Sequence, residues 1–200
     1  MEKIKQTIYR KALGMLQIKY SDVTDSSDTA PAEIEYCNDN IDTACASAMS
    51  GGDYFWLISS YKFSSPKKDS DGKLIPYHGY QYGYDCPSDM FRPFLGDGKY
   101  NFGYARKGKE IYFPVENPTL DYIVDVTKKY DDDDFWADMP SVFIDLIAGM
   151  LAISIAPMVA PEGTFGQNAT TKMQTAAAAC NDLNNNAYRE YRPNPKEYLE

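Results

Sequence analysis

The chain carries one histidine, His78, in a stretch rich in Tyr and Gly. A His-based triad needs Ser or Cys as nucleophile plus a carboxylate, and no GxSxG elbow occurs. His78 therefore reads as a surface or structural residue. Gly96-Asp97-Gly98-Lys99 is too short for a GxxxxGK[ST] phosphate loop and follows no hydrophobic strand, so it reads as a plain turn. Paired acids facing each other across a cleft can cleave glycosides. Glu110, Glu116, Asp121 and Asp125 are present, but their spacing does not dictate their separation in space. The run Asp131, Asp132, Asp133, Asp134 could hold calcium weakly, yet it lacks the alternating ligands and turn glycine of an EF-hand. It reads as a solvated acidic loop. The four cysteines, Cys37, Cys45, Cys86 and Cys180, show no metal spacing. Cys37 and Cys45 lie two turns apart on an expected helix, too far to bridge. All four read as reduced thiols, with Cys37, Cys45 and Cys180 small core residues, which suits assembly in a reducing cytoplasm. The residues predict no catalytic, cofactor or metal site, and no enzyme.

Tyrosine is the more informative residue, with 17 in the chain. It offers large contact area for little entropy and keeps a hydroxyl for a partner. Tyr77, Tyr80, Tyr82 and Tyr84 crowd one short stretch. Alternation along a strand would turn some of them to solvent. They read as the outer side of a β-sheet, as a protein–protein interface or as a sugar-stacking surface. Tyr188, Tyr191, Arg192 and Tyr198, with Pro193 and Pro195, have the composition of interface anchors on an extended tail. A frayed terminus is the alternative.

Twenty basic against 29 acidic residues give a net charge of −9. Tight nucleic-acid binding needs cations that displace counterions from phosphates, so this balance argues against it. It does not argue against a duplex passing nearby, since an acidic wall keeps the phosphate backbone from sticking.

The elements that hold these residues follow from periodicity. Ile4, Ile8, Ala12, Met15 and Leu16 share one face of a helix over Glu2 to Ile18. After the polar loop Ser21 to Thr29, a second helix starts near Pro31 and ends at Gly51-Gly52. Its stripe is Ile34, Cys37, Ile41, Ala44, Cys45 and Ala48, with Glu33 and Glu35 favoured by the helix dipole. Then the period changes. Strands are predicted over Tyr54 to Phe63 and Lys73 to Tyr84, a hairpin over Asn101 to Pro114 around Lys107-Gly108, and a strand over Leu120 to Thr127. A third helix covers Pro140 to Ala156, with Asp138 as its expected cap and Leu146 and Ile153 in its core. The segment Val142 to Ala160 is almost wholly apolar, but Asp145 interrupts it and Pro157 breaks it, so it reads as a buried helix rather than a membrane span. After a turn at Gly163 to Gly166, a fourth helix covers Gln167 to Tyr188 with the stripe Met173, Ala176, Ala177, Cys180, Leu183 and Ala187. Met1 leads straight into a polar amphipathic stretch, which predicts no signal peptide.

Three helices offer one apolar stripe each and the third is apolar all round, so the economical arrangement surrounds the third with the others. The expected fold is α+β: a four-helix antiparallel bundle with an antiparallel β domain inserted between helices two and three. The expected boundaries are 1–52 with 131–190 for the bundle, 53–130 for the β domain and 191–200 for the tail.

The succession of elements resembles a known family. The helical opening Lys3 to Ile18 is followed by a loop and a second amphipathic helix. That helix runs into the aromatic segment Tyr54-Phe55-Trp56-Leu57. YGYDCPSDMFRP, from Tyr82 to Pro93, combines a tyrosine-rich strand with a Pro-Ser-Asp turn. LDYIVDVTKKYDDDDFWADMPSVFIDLIAGMLAISIAPMV, from Leu120 to Val159, joins a strand, an acidic link, a Phe/Trp bend and an Ala-rich helix. Together these are similar to the tail tubular protein A type of head-to-tail adaptor of short-tailed bacteriophages. The polar stretch Ser21 to Thr29 and the Tyr/Pro tail depart from the pattern.

The resemblance implies a structural virion protein that catalyses nothing. It implies a ring of twelve copies in the neck of the virion, assembled in the host cytoplasm and docked under the portal protein. Nozzle or other tail proteins would bind on the distal side, and double-stranded DNA would pass through the lumen without sequence-specific binding or a membrane. Heterologous ring contacts need two different patches on each copy, which the tyrosines and the tail could supply. Asp131, Asp132, Asp133 and Asp134 are candidates to line the channel, and residues of the helices are the alternative. The alternatives are a virion-associated glycan-binding module or a cell-wall hydrolase.

Overall fold

The computed structural model describes residues 2–20, 31–94, 103–160 and 165–191. The chain is mixed α+β. Its helices are α1 (Lys3–Met15), α2 (Ala32–Ser50), α3 (Asp133–Ala137), α4 (Ser141–Val159) and α5 (Phe165–Tyr191). Its strands are β1 (Ile58–Lys62), β2 (Tyr82–Asp85), β3 (Met90–Pro93), β4 (Ala105–Lys107), β5 (Glu110–Phe113) and β6 (Thr119–Val124). Two compact units result: Met1–Trp56 together with Lys129–Glu200, and Leu57–Lys128. The loop Ser21 to Thr29, the turn Gly96 to Lys99, Asn101 and the tail beyond Tyr191 lie outside the described residues.

In the helical unit, α4 packs against α1, α2 and α5. It is long and apolar enough to cross a membrane. Here its four successive residues Leu146, Ile147, Ala148 and Gly149 are all buried. At 100° per residue those positions point to different sides, so neighbours must cover α4 on several sides. The stripes of α1 and α2 meet it as their periodicity requires: Ile4, Ile8, Ala12, Met15 and Leu16 are buried, as are Ile34, Cys37, Ile41, Ala44, Cys45 and Ala48. A Cβ on Gly149 would lie 2.7 Å from Met173 Cβ, so α5 approaches α4 closely at that point.

Several boundaries depart from the periodic pattern. Helix α1 stops at Met15 because Gln17 turns left-handed (φ 58°) and Ile18 N–H bonds back to the Leu13 carbonyl at 2.9 Å. Asp138 is not the cap of α4. Pro140 occupies that position without a side-chain bond, while Asp138 closes α3. Helix α4 runs through Pro157 to Val159, with only two residues beyond the ring. Helix α5 begins at Phe165, inside the expected turn. On α5, Ala169, Ala176 and Cys180 are buried, whereas Leu183 is exposed and Ile153 of α4 is half-buried.

Polar groups bind the helical unit together. Tyr9 donates to Asn38 Oδ1 at 2.8 Å, Tyr130 donates to Asp42 Oδ1 at 2.9 Å, and Lys11 Nζ meets Asp145 Oδ1 at 2.5 Å. Asn184 accepts from Phe55 N–H and donates to the Asp53 carbonyl, both at 2.9 Å, which ties α5 to the chain following α2. Burial pushes the Cys37 thiol up to about 12 and the Cys180 thiol up to about 11 from a reference of 9.0. Tyr9 and Tyr130 are pushed up for the same reason. These groups stay protonated in the fold while the unfolded chain releases protons above its own lower values. The stability they lend is complete below pH 9 and declines as pH rises toward 11–12. Each thiol should cost roughly 2 kcal/mol by about pH 10.5. Thermal melts at stepped pH should show the decline; a melting temperature flat between pH 8 and 11 would contradict it.

The β unit holds two antiparallel sheets, ordered β1-β6-β3 and β2-β5-β4. In the first, Ile58 pairs with Ile123 and Lys62 with Thr119. In the second, Tyr82 pairs with Phe113 and Tyr84 with Ile111, and the β4–β5 hairpin turns at Gly108 (φ 61°). Phe63, Tyr84 and Phe113 form an aromatic core with centroids 5.0–6.1 Å apart. Both predicted long strands are shorter than expected. Phe55–Leu57 forms a 3₁₀ turn, since Tyr54 and Trp56 stack on each other at 4.9 Å and both meet Phe143 edge-on. Residues 73–81 stay out of the ladders. Pro76 has no N–H to donate, and His78 and Gly79 are both left-handed (φ 47° and 86°), forming a tight turn closed by Tyr77 and Tyr80.

A candidate interaction face on the β unit

Strand alternation sorts the tyrosine stretch. Tyr82 and Tyr84 share the side of β2 that meets Ile111 and Phe113. Tyr84 is 2% exposed and its hydroxyl accepts from Asn117 N–H at 2.8 Å, so it is a core residue and not a surface anchor. The opposite side of the sheet is built from Gly83, Asp85, Glu110 and Tyr112, since Gly83 pairs with Tyr112 and Asp85 with Glu110. Glycine is required at 83: a Cβ there would come within 2.6 Å of the Tyr112 ring. Tyr77 packs on Tyr112 at 5.1 Å, the His78 ring meets Tyr77 edge-on at 4.3 Å, and Lys107 Nζ stands 5.5 Å from the Tyr77 centroid. Tyr77, Tyr80 and Tyr82 are half-buried and His78 is exposed.

Backbone pairing brings a cation to this face. Lys67 N–H donates to the Gly83 carbonyl at 2.7 Å, and Lys67 Nζ reaches Asp85 at 2.8 Å and Glu110 at 2.5 Å. Tyr112 donates to the other Glu110 oxygen at 2.6 Å. The Lys67 ammonium and the Tyr112 hydroxyl hold the Glu110 carboxyl below its usual range, and the two carboxylates raise Lys67. A general acid needs the reverse, a carboxyl kept protonated near neutral pH. Two of the other candidate acids are also engaged. Asp121 accepts from the Ser60 hydroxyl, and Asp125 accepts from both N–H and hydroxyl of Thr127. Glu116 sits exposed between β5 and β6.

The acidic run is largely solvated, with Asp131, Asp133 and Asp134 exposed, but it is not one loop, since Asp133 and Asp134 open α3. Asp132 accepts from Phe135 N–H at 3.0 Å and caps α3, and Asp133 pairs with Lys3 at 2.8 Å. Among the described residues no three His, Cys, Asp or Glu side chains are placed to hold a metal ion. Tyr188 and Tyr191 fall in the last residues of α5, and Arg192 and Tyr198 lie outside the described residues. Sequence reasoning missed Lys67 as part of the face and Tyr112, 3% exposed, as the ring that supports Tyr77 from beneath. The usable signal was Gly83, a glycine inside a strand of bulky residues, which marks a close approach from a partner side chain.

No family model matches the chain, and no curated protein matches it in sequence.

Proposed function

We propose that this chain is one protomer of a head-to-tail adaptor ring of a short-tailed bacteriophage. In this reading twelve copies dock under the portal protein, receive nozzle or other tail proteins on the distal side and form part of the DNA conduit. The four long helices make an antiparallel bundle into which the β unit is inserted, and the protein acts in the virion neck without catalysis or a membrane. One observation carries the reading: the two ends of the chain share one compact unit, while residues 57–128 between them form another. That organisation agrees with the order of motifs from Lys3 to Val159 that resembles the adaptor family. The face around Tyr77, His78 and Lys107 adds an aromatic and charged surface of the kind that protein interfaces use.

The test is to mix the purified chain with the portal of its phage and image the product by electron microscopy. The reading predicts a closed ring of twelve copies under the portal. A chain that stays apart from the portal, or that binds glycans saturably as a monomer, would refute it.

A further inference from the structure

The charge of −9 is distributed unevenly. Residues 57–128 hold 10 Lys and Arg against 9 Asp and Glu, a net +1, and the rest of the chain holds 10 against 20, a net −10. Within the β unit, Arg106, Lys107 and Lys109 bring three cations into four residues at the β4–β5 turn, and all three are exposed. The nearest carboxylate in sequence, Glu110, is already held by Lys67 and Tyr112. Arg106 Nε donates to the Gly108 carbonyl at 3.2 Å, which holds this side chain against the turn.

We infer that this basic turn docks on the acidic helical unit of a second copy of the chain, an inference that rests on the adaptor reading. Two identical molecules with this imbalance repel helical unit to helical unit, by ten like charges on each. Within the nearly neutral β unit, the three exposed cations of the β4–β5 turn are the part that the acidic helical unit of another copy attracts. Such an encounter is head-to-tail, the heterologous contact from which closed rings are built. Lys107, with its ammonium above the Tyr77 ring, sits beside the aromatic face, so docking would bury tyrosine surface at the same place.

The experiment compares portal-templated ring assembly by the wild-type chain, Lys107→Glu/Lys109→Glu, and Lys19→Glu/Lys172→Glu. The two variants carry the same net charge, but the second changes exposed lysines of the helical unit. The inference predicts that the first variant needs about tenfold more protein, or greater, to assemble. It predicts little change for the second, and weaker wild-type assembly as salt rises from about 0.1 to 0.5 M. Unchanged melting curves would confirm that both variants fold. Zero-length carbodiimide cross-linking of mixed heavy- and light-isotope copies should join Lys107 or Lys109 to carboxylates within 1–56 or 129–200 of another copy. Equal loss in both variants would reduce the effect to net charge and overturn the inference. So would retention of duplex DNA by the wild type that the first variant loses, which would assign these cations to nucleic acid. If the first variant assembles normally, the inference fails and the adaptor reading stands. If the wild type never assembles, both fail.

Discussion

Leu146→Asp should leave the helical unit unable to fold, seen as loss of the cooperative thermal transition and of most helical signal in circular dichroism. Leu146 is 1% exposed on the helix that α1, α2 and α5 all pack against. An ionised carboxylate there would lose its hydration, and a protonated one would lack a designed hydrogen-bond partner. The lost packing alone is worth about 2–5 kcal/mol, as Leu146→Ala should show. Adding the polar group should bring the total to roughly 5 kcal/mol or more, comparable with the whole stability of a typical domain. Ile153→Asp, on the same helix, should cost less, because the half-buried side chain can reach water. A Leu146→Asp protein that still melts cooperatively near the wild-type temperature would refute the central position of α4.

Substitution of Gly149 should produce the second largest loss, about 3 kcal/mol or more for Gly149→Val. The new Cβ would sit 2.7 Å from Met173 Cβ and 3.0 Å from Met173 Cα. A flexible side-chain end could swing aside, but these atoms move only if α5 moves, and α5 is also tied through Asn184 to the backbone of Asp53 and Phe55. Gly14→Ala is the matched control. It too replaces a helical glycine, but nothing lies within 4 Å of the added carbon. That change should stabilise α1 by about 0.5–1 kcal/mol through helix propensity. Opposite signs for Gly149→Ala and Gly14→Ala in chemical denaturation would show that contact between α4 and α5, not propensity, sets the outcome. Two changes of the same sign would remove the claimed close approach.

The stripes of α1 and α2, the all-round apolarity of α4, the burial of Cys37, Cys45 and Cys180 and the hairpin at Gly108 were all legible in the sequence. Each is written in the spacing of neighbouring residues, and local periodicity states which side of an element must leave water. Tertiary structure alone decided the rest. Tyr54 and Trp56 leave the β pattern because Phe143, far along the chain, offers them a better surface. Tyr84 and Tyr112 are both buried but lie on opposite sides of the sheet because β2 and β5 pair in one register; a slip of one residue would exchange the two sides. Leu183 remains exposed although it fits the helical spacing, while the adjacent Asn184 takes the contact with the chain after α2. In the acidic run Asp132 becomes a cap and the exposed Asp133 an ion-pair partner because Phe135 N–H and Lys3 come within reach of them. A residue's type limits what it can bond to, but the identity of the partner depends on segments that only folding brings together.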